Sequence, residues 1–585
     1  MKIISALLAA VLLTFLLSML MAFFRPASGE EHPIAAPRYT RRDCLCSWIL
    51  AAIYAVFAFL GLGDRTAPES YARGGQDVFL SFSLREGDAL GSLRYFAGID
   101  TGEWLLEGSA DGESWSPLGS IDMNYVAVLK WDELTVEGGD CRSFRLSAAE
   151  PLEIGELALF APDGRALLPA ERNAAAAALF DEPERVPARQ SYLNSTYFDE
   201  IYHVRTAWES LRCDGMYEIT HPPLGKLILS LGLLLFGVTP FGWRFSGTMA
   251  GVLMLPLIYA FVQRLFGRRR VSIACTLVFA FDFMHFTQTR LATIDSYSVL
   301  FILGMYYYMY RFLSEEEHSL GALGLSGLFF GLGAASKWTC LYAGAGLGLL
   351  WLLYWCRSGE LGKKRFWINV CFCMAAFVAL PLLIYYVSYW PYGVTRGLHG
   401  VRMLCSREYL HIVLDNQRYM FRYHSGLVAT HPYASRWYQW VLDLRPILYY
   451  LRYNGERRSV IMAFTSPLLC WGGALSLLGC AIRGVRRRDS RAGFILLGYF
   501  SQLLPWMGVS RLTFAYHYFP SEIFLVLAMG YVLSGLEEKG RRHYTLASAV
   551  AALLLFGLFY PCLSGAEVST RYCDWVLKWL PGWPV

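Results

Sequence analysis

Two adjacent acids, Asp199 and Glu200, stand between Tyr197, Phe198 and Tyr202, with His203 and Arg205 following. A carboxylate among aromatic rings is partly desolvated and nearby cations tune it, which is how a general base is prepared. The bland alternative is an interfacial helix start, with Asp199 near the N-cap, Glu200 in the first turn and the rings at headgroup depth. The same run ends in THPPLGK, where His221 and Lys226 sit just ahead of the main block of long apolar segments. Chemistry is therefore expected at a membrane surface.

The elements that must position these residues are set by composition. The chain has 585 residues, 55% hydrophobic, 16% aromatic and 17% charged, and repeated apolar stretches long enough to cross a bilayer. This predicts a polytopic membrane protein with helical spans, because lipid cannot satisfy open backbone groups and the runs lack barrel-like alternation. The net charge of +5 is small and gathers in short loops, so it reports topology and gives no case for nucleic acid.

Lys2 to Phe24 reads like a signal peptide, but Arg38, Arg41 and Arg42 lie between it and the next apolar run, Trp48 to Leu62. Positive loops stay cytoplasmic, so an uncleaved first helix with its N-terminus outside is expected, and a mature N-terminus near Gly29 is not. After a short apolar helix, Leu224 to Phe236, read as interfacial, ten further crossings give about twelve in all. They run over 243–389 and 459–562, separated by an outer loop at 390–458 and followed by an outer tail at 563–585. This topology puts GRRR (267–270), RFLSEEEH, CRSGELGKKR, RGVRRRDSR and EEKGRRH in the cytoplasm.

Residues 73–170 are a different kind of protein. DVFLSFSL, SLRYFAGI, EWLLEGSA, YVAVLKW, SFRLSA and IGELALF are short alternating runs separated by turn residues, which predicts an inserted extracytoplasmic β-sandwich. The stretch EWLLEGSADGESWSPL, with Trp104 and Trp115, resembles the discoidin-type galactose-binding-like sandwiches. That resemblance implies a carbohydrate or cell-envelope ligand. The competing reading puts both tryptophans in the core and makes the insert a spacer or docking surface. The segment 171–242 then carries the acid pair and the interfacial helix.

On this topology the remaining polar residues gather on the outer face. Arg244, Arg290, Lys337 and Arg511 could hold a lipid phosphate, arginine offering a planar fork and lysine a point charge. Each taken alone is more often a snorkelling or topology-setting cation. Asp295 is expected to pair with Arg290, and His517, between Tyr516 and Tyr518, divides between interfacial packing and phosphate contact. No His/Cys cluster has metal-ligand spacing. The fourteen cysteines form no framework; Cys141, Cys213, Cys405, Cys562 and Cys573 face outside or lie near it, with no pairing legible. Asn194 fits a glycosylation pattern, but its place beside the acids favours a structural part.

In order, FDEIYHVRTAW, THPPLGKLILSLGLLLFG, GWRFSG, TRLATIDS, SKWTCLY, HPYASRWYQWVLDLRP and LPWMGVSRLTFAYHYFPS resemble the bacterial protein O-mannosyltransferases. The resemblance implies a GT-C fold that moves mannose, with inversion, from a polyprenyl-phosphate carrier to Ser or Thr of exported proteins outside the cytoplasmic membrane. It puts the family's acidic pair on Asp199 and Glu200 and its essential arginine on Arg244. Asp199 is then the base, and Glu200 orients the acceptor or Asp199. Arg244, with Arg290, Lys337, Arg511 or His517, holds the donor phosphate, while Arg205, His221, Lys226, Asp295 and Tyr516 shape the loop and acceptor side. No cofactor is implied; paired carboxylates could hold a divalent ion, which a lipid monophosphate donor needs less than a nucleotide diphosphate. The extra first helix and the sandwich depart from the family pattern, so acceptor choice is open. A GT-C enzyme using another lipid-linked sugar and a lipid-linked sugar transporter are the competing functions; charges collected at one surface and no internal repeat speak against the transporter.

Overall fold

The computed structural model describes residues 2–26, 39–137, 139–314 and 319–585. Arg38, the position near Gly29 and the acidic end of RFLSEEEH lie outside the described residues. The chain divides into two compact units, Met1–Leu60, Glu209–Leu229 and Phe245–Val585 forming one, Gly61–Trp208 and Ser230–Arg244 the other.

The first unit is helical. Among the described residues seven helices are long and apolar enough to cross a membrane, and an eighth follows if Arg269–Ala280 and Phe283–Thr289, which meet at 54°, count as one broken span. The twelve crossings expected include several elements that fall short of that test. Leu320–Ser336 and Ser490–Leu503 are short, and Asp295–Ser314 is long but interrupted by tyrosines and serines. The break at 280–283 has a local cause: Asp282 caps the second piece by accepting the His285 N–H.

Three of the basic loops meet at one end of this unit, where RGVRRRDSR reaches the helix end before GRRR through Arg491 and the helix end before EEKGRRH through Arg483 and Glu538. Thr40 and Asp43 form a capping box that starts the helix Arg41–Phe59, and Asp43 then binds Arg269 of the GRRR loop at 2.8 Å. Lys539 and Arg541, from EEKGRRH, donate to carbonyls at the C-terminal end of Lys2–Phe24, including that of Arg25. Cations there complement the helix dipole.

The second unit is built on a sandwich of two five-stranded antiparallel sheets. The strands are β1 (Ala72–Gly74), β2 (Leu80–Ser83), β3 (Ser92–Ala97), β4 (Gly102–Ser109), β5 (Ser116–Met123), β6 (Trp131–Thr135), β7 (Ser143–Ala148), β8 (Leu152–Phe160), β9 (Ala166–Leu167) and β10 (Glu171–Arg172). One sheet runs β1-β8-β3-β6 with β9 on β8, the other β10-β2-β7-β4-β5. Alternation places Phe144, Leu146 and Ala148 of β7 and Trp104 and Leu106 of β4 in one core. Two expectations need correction. YVAVLKW is a loop whose Val128 and Leu129 point into the core, with the strand starting only at Trp131. Trp115 is not core: it lies outside the sheets' interior under the Arg145 guanidinium, 4.4 Å from the ring centre. Glycines and serines in SPLGSIDM dilute the alternation, which is why β5 was not among the expected strands.

Candidate active site

In the second unit the acid pair splits. The helix Glu200–Arg212 begins between the two acids, and the Asp199 carbonyl accepts the N–H groups of Tyr202 and His203. Phe198 holds a left-handed φ of +51°, which costs a bulky residue strain that its surroundings must offset. Glu200 turns inward and is fully buried, while Asp199 stays partly exposed.

Buried Glu200 meets Arg244 as a bidentate pair, Nε to Oε1 at 2.7 Å and Nη2 to Oε2 at 2.8 Å. The other three N–H groups of Arg244 go to the carbonyls of Leu62 (2.9 Å), Tyr192 (2.6 Å) and Ser195 (2.9 Å). All five donors are thus committed inside the protein, and the guanidinium also lies over the Tyr197 ring at 4.8 Å. The fork gathers the turn at 192–195, the chain at Leu62 and the start of the helix Glu200–Arg212 around one charge. Close approach is required at Gly63, where a Cβ would stand 2.7 Å from that of Pro240 and 3.0 Å from Arg244 Nη1. Burial raises the neighbouring Asp64 carboxyl above its ordinary pKa, and the Arg244 charge partly opposes that. Arg205 is half-buried on the same helix as Glu200. Asn194 is buried in its own turn, accepting from Ser191 N–H at 2.8 Å and donating to the Arg189 carbonyl at 2.9 Å.

A second polar group lies in the helical unit. Lys226 is buried and donates to Glu218 Oε2 at 2.6 Å and to the carbonyls of Glu218 (2.7 Å) and His221 (3.0 Å), which ties the HPPLGK loop into a closed turn. His221 Nδ1 lies 3.1 Å from Glu218 Oε1, and its ring meets that of His424 at 5.3 Å. Glu218 and His424 were not singled out from the sequence. Glu218 precedes His221 by one helical turn's spacing, a usable signal, whereas His424 is distant in sequence.

Lys337 pairs with Asp295 at 2.6 Å, so Asp295 does not serve Arg290 as expected. Arg290 instead donates to the carbonyls of Phe57, Ala58 and Leu60, closing the C-terminal end of the helix Arg41–Phe59. Lys337 also stands 5.5 Å over the Tyr516 ring. His517 is caged by Trp440, Trp506 and Tyr516, the last two 4.4 and 4.5 Å away. Arg511 differs from the other cations: its hydrogen bond among the described residues is a long one to the Leu512 carbonyl, and no carboxylate pairs with it. Burial depresses His424 to about 4, with the Arg511 and Lys337 charges adding to the effect and its hydrogen bond to the Thr220 carbonyl opposing it. Burial also lowers His221, with Lys337 and Lys226 adding to the effect and Glu218 opposing it. Such a field holds the histidines neutral and favours an incoming anion.

The carboxylates able to share a cation among the described residues are elsewhere. Glu156, Asp181 and Glu182 place oxygens within 4.8 Å of one another in the sandwich unit. All fourteen cysteines are unpaired.

Comparison with known proteins decides the family. Residues 220–385 match the profile described as dolichyl-phosphate-mannose-protein mannosyltransferase, and residues 410–583 match the C-terminal four-transmembrane region of protein-O-mannosyltransferase. The chain belongs to the protein O-mannosyltransferase family. It is 27% identical over 456 residues to the polyprenol-phosphate-mannose–protein mannosyltransferase of Mycolicibacterium smegmatis, covering 66% of this chain and 87% of that one. The protein of the same name from Mycobacterium tuberculosis is 25% identical over 451 residues, with 66% and 86% covered. The fold resembles the Saccharomyces cerevisiae protein O-mannosyltransferase Pmt1-Pmt2 complex bound to the sugar donor, with a TM-score of 0.58 at 14% identity over 67% of this chain and 89% of that one. This membrane mannosyltransferase thus has the GT-C architecture expected, with a β-sandwich near its N-terminus.

Proposed function

We propose that this family member transfers mannose from a polyprenyl-phosphate carrier to Ser or Thr hydroxyls of proteins, with inversion, at the outer face of the cytoplasmic membrane. The names of its relatives support the donor and acceptor classes. The three basic loops gathered at one end of the helical unit support an outward-facing active site.

The observation that carries the residue assignment is the split of the acid pair. A phosphodiester-linked sugar already carries a good leaving group, so the protein must deprotonate the acceptor hydroxyl, stabilise the departing phosphate and align the two. Glu200, neutralised by the Arg244 fork, has no lone role as a base. Asp199, partly exposed at the helix start, is the general base. Arg244 is a positioning residue, because its five donors are occupied within the protein. Arg511 and Lys337 serve the phosphate, with His517 and Tyr516 as aromatic walls. His221, Lys226 and Arg205 shape the acceptor side.

The test is incubation of the purified protein with polyprenyl-phosphate-mannose and a Ser/Thr-rich peptide, followed by peptide mass measurement. A hexose-sized mass gain is expected from the wild-type protein, and Asp199→Asn should lose it while still binding the donor. Near-normal turnover by Asp199→Asn would remove Asp199 from the base role.

A further inference from the structure

The sandwich is not held apart from the acid pair. Its loop 124–131, between β5 and β6, grips the segment that leads into Asp199. Thr196 donates its hydroxyl to the Val128 carbonyl at 2.5 Å and its N–H to the Leu129 carbonyl at 3.2 Å. The Trp131 N–H donates to Ser195 Oγ at 3.1 Å. The Tyr125 ring stacks on Tyr202, in the first turn of the helix Glu200–Arg212, with centres 6.2 Å apart and planes 14° from parallel. Ser195 and Thr196 are themselves buried, and the Ser195 carbonyl is one of the three that bind Arg244.

Two features mark this grip as more than incidental packing. Leu129 is held at a φ of +50°, a conformation unfavourable for a branched side chain, and it is the residue whose carbonyl meets Thr196. Lys130, between the two gripping residues, is half-buried, and its ammonium has no hydrogen bond or ion pair among the described residues. It lies in the field of Glu200 and Asp132, and burial lowers its pKa against their attraction.

We propose that loop 124–131 of the insert is a positioning element of the transfer site, with Thr196 as its clamp and Lys130, carried between the backbone groups that bond Ser195 and Thr196, as a positioning residue that acts through Glu200. This rests on the transferase reading above. The sandwich is then a wall of the catalytic centre, whatever else its surface binds. Glu200 is fixed by Arg244 and attracts the Lys130 charge of the insert, while Asp199 is left in the geometry that the left-handed turn at Phe198 imposes.

The full-length protein carries the test. In Lys130→Met and Thr196→Val, kcat is expected to fall ten-fold or more with the donor KM within two-fold of wild type. Lys130→Arg and Thr196→Ser, which retain the charge and the hydroxyl, should recover most of kcat. A merely structural role would lower the melting temperature and leave the kcat of the folded fraction unchanged; that result would overturn the proposal. So would a rise in donor KM alone, which would make Lys130 a binding residue. Hydrogen–deuterium exchange separates this inference from the transferase reading. Faster exchange over residues 195–200 in Thr196→Val is expected whether or not mannose is transferred, and unchanged exchange would refute the clamp. A wild-type protein inactive on polyprenyl-phosphate-mannose, with the exchange effect intact, would refute the function and leave the clamp standing.

Discussion

Removing the Arg244 fork should cost folding before it costs donor binding. The Arg244 and Glu200 side chains are 1% and 0% exposed, so Arg244→Ala leaves a buried carboxylate without its counter-charge and strips donors from three carbonyls. Breaking one partner of a buried ion pair costs about 3–5 kcal/mol, and lost carbonyl bonds add about 1 kcal/mol each unless water enters the cavity. A total of about 5 kcal/mol would lower the melting temperature of the detergent-purified protein by about 4 °C when the 585-residue chain unfolds as one unit. Arg244→Lys keeps the charge but not the fork, and roughly half that loss is expected. The apolar double change Glu200→Leu with Arg244→Met removes both charges together, so it should be more stable than either single change while remaining inactive. Differential scanning fluorimetry with donor titration reads both quantities. A normal melting temperature in Arg244→Lys, together with a weakened donor, would refute the reasoning and return Arg244 to the phosphate.

Arg511 is expected to behave in the opposite way. Without a carboxylate partner to leave behind, Arg511→Ala should keep the melting temperature while weakening the donor ten-fold to a hundred-fold, the worth of a charge-assisted hydrogen bond of about 1.5–3 kcal/mol; an unchanged donor KM would exclude it. The sandwich should carry a pH signature at Glu156, whose carboxyl is pushed up to about 7 by burial and by Asp181, Glu182 and Glu184, with the Glu182 N–H opposing. The folded form prefers the proton, so this contribution is full below the ordinary carboxylate pKa and is lost as pH rises through about 7. Unfolding followed by Trp fluorescence should therefore show a loss of roughly 1–3 kcal/mol between pH 5 and pH 8 that Glu156→Gln removes, and a pH-independent difference between the two proteins would contradict it.

Much of this was legible because membrane and sheet physics leave periodic marks. Apolar runs, basic loops and alternating strands gave the two kinds of structure and the insert's place, and FDE with HPPLGK gave the residues on which the proposed chemistry is built. What was not legible depends on partner choice across long sequence separations. Nothing local tells Lys337 rather than Arg290 to take Asp295, since both are cations near a helix end; the choice follows from the end of the helix Arg41–Phe59 presenting carbonyls that only a long fork reaches. Similarly, nothing local tells an arginine at the head of a crossing to give three of its donors to the carbonyls of Leu62, Tyr192 and Ser195. YVAVLKW misled because β-branched, alternating residues also suit a loop that buries Val128 and Leu129 while turning its carbonyls outward to Thr196. That loop is where the sandwich meets the segment leading into the proposed base. A sandwich added beside an acid pair must either leave the pair's backbone support as it was or become part of that support. Hydrogen bonds between two consecutive residues, Ser195 and Thr196, and three insert residues are the second arrangement. Loosening the insert should therefore be felt as a loss of turnover before it is felt as a loss of any ligand the sandwich binds.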